Sequence, residues 1–343
     1  MEMRLDGQVA VVTGAGRGLG RSYALALAGR GAKVVVNNRI RPGTEHEPPV
    51  AEEVARLIEQ DGGAAVANTG DIGSPDGARS IVDSALESFG RIDIVVNNAG
   101  IVHFHRFPEY PDEEFEQMLD IQLRGTWHVT RAAWPHLEEQ CYGRVVNTVS
   151  RGAFFGDPHG AAYASAKGAT YGLTRALAVE GSQCGIKVNA IAPTAWTPLY
   201  ARAPDVSPER RKILEDQFRV ELVAPVVVAL AHRSCPFTGE VIGAAGGNVY
   251  RAFMAQTPGA TAVEPFTPEQ FIELLPDVWS EEDYWAIGLV TPGQRAQTTP
   301  VTEVPAEARP RSSTSDASSS RPQAPVTVPE PIPVNRSRWR NQA

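Results

Sequence analysis

The sequence predicts a doubly wound α/β fold, a parallel sheet of seven strands with helices on both faces, from three observations. Seven short runs rich in β-branched residues recur along the chain: Gln8–Thr13, Lys33–Asn37, Ala64–Asn68, Ile92–Asn97, Arg144–Val149, Lys187–Ile191 and Glu240–Ala244. Longer amphipathic stretches separate them, the spacing that parallel neighbours need for their crossovers. The runs are continuously apolar rather than alternating, which marks strands covered on both faces.

The first helix is expected to open in the glycines after Thr13 and to continue as LGRSYALALAGRG, with Gly31 placed to end it. Pro75–Phe89 reads as a second helix capped by Ser74, because Ala78, Ile81, Val82, Ala85, Leu86 and Phe89 fall on one helical face. Residues 1–256 form the α/β domain on this reading. Residues 257–290 carry Phe266, Phe271, Leu274, Trp279, Tyr284 and Trp285, too apolar for a linker and too few for a domain. They are expected to form a short helical C-terminal extension packed on the domain or on a partner subunit. Residues 291–343 contain no Leu or Phe and are rich in Pro, Ser, Thr and Arg, the composition of a disordered tail.

Across 343 residues the formal charge is −8, which argues against a broad nucleic-acid surface. Cys141, Cys184 and Cys235 stand far apart without CxxC pairing, so neither a disulfide framework nor a zinc site is expected. The start of the chain lacks signal-peptide features, and no apolar stretch approaches the ~20 residues that span a bilayer. A cytoplasmic protein without membrane partners is the expectation.

The segment Thr13-Gly14-Ala15-Gly16-Arg17-Gly18-Leu19-Gly20 joins the first strand to the first helix. In that context glycines let the backbone turn tightly and approach a pyrophosphate, while the helix N-terminus offers free N–H groups and a positive dipole end. After the second strand, where a carboxylate would bond the ribose 2′-hydroxyl of NAD, stand Asn37, Asn38 and Arg39. With Arg17 in the turn, this leans toward NADP(H), since a guanidinium pairs bidentately with a 2′-phosphate. The other reading keeps Arg39 and Arg41 as solvated loop charges and lets Asn38 bond the ribose of NAD. Asp71 and Ile72 are placed to bracket an adenine, and Asn98, Ala99 and Gly100 are small enough to let a ribose lie near the fourth strand.

Tyr163 and Lys167 are four apart, hence stacked one turn apart on one helix face. A phenol is a poor base at neutral pH, and a nearby ammonium favours its phenolate. Ser150, ending the fifth strand, is placed to polarise a carbonyl oxygen or hold an alcohol. Together these three form a candidate catalytic set. His103, His105 and Arg106 invite a metal reading, but His at i and i+2 share no helix face and no acidic partner has ligand spacing, so no metal is expected. Phe154, Phe155 and His159, between Ser150 and Tyr163, are candidates for a substrate wall.

TGAGRGLG, GDI, NNAG, the serine ending NTVS, YASAK and VNAIAP, in this order over about residues 5–250, resemble the short-chain dehydrogenase/reductase superfamily. The resemblance implies a Rossmann-type sheet of strand order 3-2-1-4-5-6-7, an NAD(P) cofactor, and homodimers or homotetramers. It implies Tyr163 as acid/base, and Lys167 as ligand of the nicotinamide ribose and tuner of the tyrosine. The segments GRSYALALAGRGAKVVVN, LRGTWHVTRAAWPH and VELVAPVVVALAHRSC are further similar to the dehydrogenase part of peroxisomal multifunctional enzyme type 2 and its bacterial single-domain relatives. That likeness implies a small-molecule substrate, a 3-hydroxyacyl-CoA or a steroid alcohol. The apolar Trp196 and Leu199 in the 194–218 loop suit either.

Three positions depart from the pattern. Gln122 stands where the superfamily's relay Asn is expected. Pro193-Thr194 replaces Pro-Gly, with Thr197 one residue early to bond a carboxamide and Ile191 offered as a backbone N–H donor. Asn38 replaces the acidic residue of the multifunctional group. The rival of another class is a nucleotide-sensing protein that kept the fold and lost catalysis.

Overall fold

The computed structural model describes residues 2–40, 43, 46, 48–199, 207–261, 265–279, 285–287, 289 and 298–300. The seven expected strands are β1 (Val9–Val12), β2 (Lys33–Asn37), β3 (Ala65–Asn68), β4 (Ile94–Asn97), β5 (Gly143–Thr148), β6 (Ile186–Thr194) and β7 (Val241–Ala245). They lie in one sheet in the order β3-β2-β1-β4-β5-β6-β7, and an eighth strand, β8 (Asn248–Ala252), extends it beyond β7. The pairings from β3 through β7 are parallel. The sequence reading stopped at seven because β8 is short and half polar. Only Gly246 and Gly247, both with positive φ, separate it from β7, and a two-residue connection joins antiparallel neighbours.

Helices α1 (Gly18–Ala28), α2 (Val50–Gln60), α3 (Pro75–Phe89), α4 (Asp112–Leu119), α5 (Gly125–Glu139), α6 (Gly152–Phe155), α7 (Ala161–Gly181), α8 (Pro208–Gln217) and α9 (Ala224–Ala231) alternate with the strands. Each buries one stripe. In α3 this is Ala78, Ile81, Val82 and Ala85, and the Ser74 hydroxyl accepts from the Gly77 N–H to cap its start. The main core lies where α1 and α9 cover one face of the sheet, with Val12, Val34, Val36, Ile94 and Val146 beneath Tyr23, Leu27, Val227 and Leu230.

Inside this apolar frame a polar chain stitches the central strands. Asn97 Nδ2 donates to Asn147 Oδ1 and Thr130 Oγ1, both at 2.9 Å, and Asn147 Nδ2 donates to Thr174 Oγ1 at 3.0 Å. All four residues are buried. Asn97 and Asn147 are register partners on β4 and β5, so the network fixes the two strand ends from which the site is built, with α5 and α7 packed over them.

The chain divides into two compact units, the second beginning at Ala252. In the second, α10 (Pro268–Val278) starts with a capping box formed by Thr267 and Gln270. Strands β9 (Ala255–Gln256), β10 (Trp285–Ile287) and β11 (Thr298–Pro300) pair antiparallel around β10. This unit is thus a helix with a small sheet, where the sequence indicated helix alone; its strands are too short to carry periodicity. Apart from Thr298–Pro300, the expected tail lies outside the described residues, as do Arg41 and Tyr284. Among the described residues no helix is long and apolar enough to cross a membrane.

Replacing Asn147 by Ala leaves two buried polar partners short of a bond, at about 1–3 kcal/mol. Urea unfolding should show that loss; an unchanged midpoint would mean the network carries no net stability.

Candidate active site

Apart from Ile191, the functional candidates of the α/β unit cluster toward the C-terminal ends of β1 to β6, the crevice where open α/β sheets bind ligands. The turn after β1 is pressed against the end of β4. Gly14 has φ of 63°, and a Cβ there would lie 2.7 Å from the Ala99 Cα, closer than atoms allow. A Cβ on Gly20 would collide with the Gly14 carbonyl and the Asn98 amide. These glycines are dictated by contact with Asn98-Ala99, which the sequence spacing could not show. Thr13 Oγ1 accepts the N–H groups of Asn98 and Ala99, both at 3.1 Å.

α1 begins at Gly18 with Arg17 as its N-cap, no capping side chain and no acid in its first turn. No acidic side chain opposes its positive dipole end in the first turn, a cradle that fits a pyrophosphate. Leu19 packs on the core behind the turn. Thr197 and Pro198, after β6, stand over Gly18, where a Cβ would lie 3.5 Å from Thr197 Cγ2.

Several expected roles change in detail. Asn98 does not stand free for a ribose: its Nδ2 donates to Thr13 O at 3.0 Å and Gly14 O at 3.3 Å, bracing the turn. Asn38 Oδ1 accepts from the Gly16 N–H at 3.4 Å and its Nδ2 donates to the Arg39 carbonyl. Arg39 is ion-paired with Asp71 at 3.3 Å, and Asp71 Oδ1 also accepts from the Gly73 N–H. Ile72 is buried against Gly125 rather than open on both faces. Pro193 lies within β6, paired with Ala244. Ile191 sits mid-strand between Thr148 and Ile242, so its backbone belongs to the sheet and not to a ligand.

The structure brings Ser150, Tyr163 and Lys167 together. Ser150 lies two residues beyond β5, and its Oγ accepts from the Gly152 N–H at 3.2 Å. Tyr163 lies in the first turn of α7, near enough to Ser150 for that hydroxyl to act on the ionisation of its phenol. Burial pushes the phenol above its ordinary value, the Ser150 hydroxyl opposes this, and the Asp157 carboxylate adds to it. Lys167 is 4% exposed, and its Nζ donates to the Thr148 carbonyl at 2.6 Å, 5.9 Å from the centre of the Tyr163 ring. Burial without a carboxylate partner pulls this amine down to about 7. Near neutral pH the amine is thus divided between its charged and neutral forms, so the ammonium expected beside the phenol is held less firmly than on an exposed lysine.

Gln122 lies in a π-helical segment, Asp120–Arg124, between α4 and α5. Such widened turns occur often at functional sites. Its Nε2 donates to the Ile101 carbonyl at 2.6 Å, and its Oε1 is buried without a partner among the described residues. Gly100 makes room for that amide, since a Cβ would lie 3.0 Å from Oε1. The Gln122 carbonyl accepts from Thr126 Oγ1 at 2.8 Å and Thr170 Oγ1 at 3.3 Å. The single Thr170 proton has a nearer acceptor in the Ala166 carbonyl at 3.0 Å, so the Gln122 carbonyl keeps a lone pair for a further donor.

At the mouth, Glu114 supplies the acidic partner that spacing along the chain concealed: its Oε2 lies 3.0 Å from His103 Nδ1 and 2.7 Å from His105 Nε2. Among the described residues no group of three His, Cys, Asp or Glu is arranged to hold a metal. Phe154 packs edge-on against Tyr171 at 5.2 Å, while Phe155 is 74% exposed. His159 adopts a left-handed φ of 62°, and its carbonyl accepts the His105 N–H.

Comparison with known proteins agrees with this geometry. The family model for the short chain dehydrogenase matches residues 8–202. A short-chain type dehydrogenase/reductase of Mycobacterium tuberculosis is 42% identical over 260 residues, 75% of this chain and 89% of that protein. Peroxisomal multifunctional enzyme type 2 of Drosophila melanogaster is 37% identical over 281 residues, 81% of this chain but only 46% of the enzyme. The crystal structure of a short chain dehydrogenase from Mycobacterium avium matches with a TM-score of 0.69 at 31% identity, covering 83% of this chain and 98% of that one. The chain belongs to the short-chain dehydrogenase/reductase family and is an oxidoreductase acting on CH–OH groups with a nicotinamide dinucleotide.

The Lys167 environment has a consequence for stability. Between about pH 7 and the ordinary lysine value of 10.5, the unfolded chain holds a proton at this site that the folded chain has released, so stability rises with pH across that window. Below about 7 both states are charged and the burial penalty is present in full. Lys167→Met should be more stable than the parent at mildly acidic pH and should lose this slope in urea unfolding; parallel pH dependences would contradict it.

Proposed function

We infer that the chain is a reversible 3-hydroxyacyl-CoA dehydrogenase that uses NADP(H) and works as a homo-oligomer. The observation that carries the reading is the convergence of Ser150, just beyond β5, and Tyr163 in the first turn of α7, with Lys167 one turn along and tied to the last carbonyl of β5. Two adjacent donors are what one carbonyl oxygen needs as it becomes an alkoxide.

The glycine turn, α1 and the ends of β2 and β4 would hold the nucleotide, with Lys167 close to its nicotinamide end. When bound, the nicotinamide supplies or accepts the hydride. In ketone reduction Ser150 donates a hydrogen bond to the substrate oxygen and Tyr163 passes its proton there; in alcohol oxidation Tyr163 takes that proton back. Amine and phenol are coupled: a negative phenolate favours the charged form of Lys167, which in turn stabilises the phenolate.

Support for an apolar substrate comes from the aromatic side chains that follow β4, β5 and β6, Phe107, Phe154, Phe155 and Trp196, and a peroxisomal hydratase-dehydrogenase-epimerase stands among the relatives. The exposed Trp127 on α5 supports a subunit contact. For the cofactor, the Arg39–Asp71 pair is exposed, with each side chain 45% accessible, so parting it costs little. Arg39 then gains a charge-assisted bond to a 2′-phosphate.

Nicotinamide absorbance with a medium-chain 3-oxoacyl-CoA and with a ketosteroid, each offered NADH and NADPH, tests the substrate reading. Thioester turnover is the expected result, and turnover of the steroid alone overturns it. Tyr163→Phe should lose about 10²–10⁴-fold in kcat/KM while still binding nucleotide. Silence of the parent with every substrate while nucleotide binds would favour the sensor reading. Arg39→Ala should weaken NADPH binding about tenfold and leave NADH binding unchanged; equal effects on both would return the preference to NAD.

A further inference from the structure

Between Ser150 and Tyr163 the chain passes through α6, turns at Gly156 with φ of 72° and returns through Asp157 and His159 to α7. Asp157 is open to solvent on one side, but its Oδ2 is turned inward onto the buried Gly152. A Cβ on Gly152 would collide with that oxygen and lie 3.6 Å from Ser150 Oγ. Carboxylate and catalytic hydroxyl therefore flank the same edge of one glycine. Gly160 closes the other side: its N–H donates to the Asp157 carbonyl at 3.1 Å, and a Cβ there would lie 3.2 Å from the Asp157 Cβ. Two glycines thus leave room for one carboxylate, and they set it beside the Ser150–Tyr163 pair.

Charge follows from placement. Burial raises the Asp157 carboxyl above the usual range, with Arg151 pulling it back, and the carboxylate in turn works against ionisation of Tyr163. Among the described residues the other charged or titratable groups around this spot begin with His159, two residues along the same loop. Arg151 precedes Gly152 and also faces Tyr250 of β8. Tyr163 and Lys167 come from α7, and the Lys167 amine is turned away to Thr148. His103, His105 and their shared Glu114 belong to the segment bonded to the His159 carbonyl.

We propose that Asp157 is a positioning residue of the catalytic set, whose carboxylate stands beside Ser150 and disfavours negative charge on the Tyr163 phenol, holding Tyr163 as the proton donor of the pair. The residue bonds neither nucleotide nor reacting atoms. It acts through Tyr163. This rests on the family's acid/base chemistry and not on the identity of the substrate.

The test is a pH titration of the near-ultraviolet phenolate band in the full chain, with the Tyr163→Phe variant subtracted to isolate Tyr163. Asp157→Asn should move the Tyr163 transition to lower pH, raising its phenolate fraction severalfold at a fixed alkaline pH, with a smaller effect at high salt. Gly152→Ala, which displaces the carboxylate without removing it, should move the transition the same way. The double variant should add little to either single one, because both remove one interaction. Asp157→Glu should restore part of the shift. In turnover, the corresponding limb of the kcat/KM pH profile should move with the phenolate. A Tyr163 transition unchanged or moved to higher pH in a folded Asp157→Asn protein, or fully additive effects of the two substitutions, would overturn the proposal.

Discussion

The contact on which the site depends is the hydrogen bond from the Lys167 amine to the Thr148 carbonyl. It joins the last residue of β5 to the second turn of α7, and the chain between those two points carries Ser150, α6, Asp157 and Tyr163. A buried amine is costly, and one bonded to a carbonyl rather than a carboxylate keeps most of that cost. The same choice makes it useful. A carboxylate partner would hold the lysine charged at every physiological pH, whereas a carbonyl leaves it poised near neutrality and able to respond to the charge of a neighbouring phenol or a bound nucleotide.

The rest of the α/β unit supplies the rigidity such a poised group needs. Asn97 and Asn147 tie the ends of β4 and β5 together from inside the sheet, and Thr130 and Thr174 extend the tie into α5 and α7. On the nucleotide side Thr13 and Asn98 clamp the glycine turn to the end of β4. Two adjacent asparagines in NNAG therefore do different structural work: Asn97 points into the core between strands, and Asn98 braces the turn.

Much of this was legible in the sequence. Seven apolar runs at helix-length spacing gave the sheet, because strands buried on both faces have little freedom in composition. β8 escaped because five half-exposed residues carry no pattern, and its glycine pair looks like an ordinary turn. At the site, Tyr163, Lys167 and Ser150 were legible because a helix face and a strand end are local features. The partners that set their charge were not. Thr148 acts through its carbonyl, which every residue has. Glu114 meets His103 and His105 only through the fold, and Asp157 reaches Gly152 only because the turn at Gly156 folds the chain back. The pairing of Arg39 with Asp71 joins residues from two separate strand ends, so neither side chain revealed the other.

Phenol and amine emerge as groups that burial drives toward neutrality in the free protein, Tyr163 upward and Lys167 downward. Charge separation between them is then an event of nucleotide and substrate binding rather than a standing feature. The four lysines of the chain allow this to be seen directly. Nitrogen-15 NMR of the side-chain amines, followed through a pH titration of the free protein and assigned with a Lys167 variant, should show the Lys167 amine titrating near neutral pH. A Lys167 amine that stays charged well above neutral pH would contradict the account, because the site would then stand permanently ready to hold a phenolate.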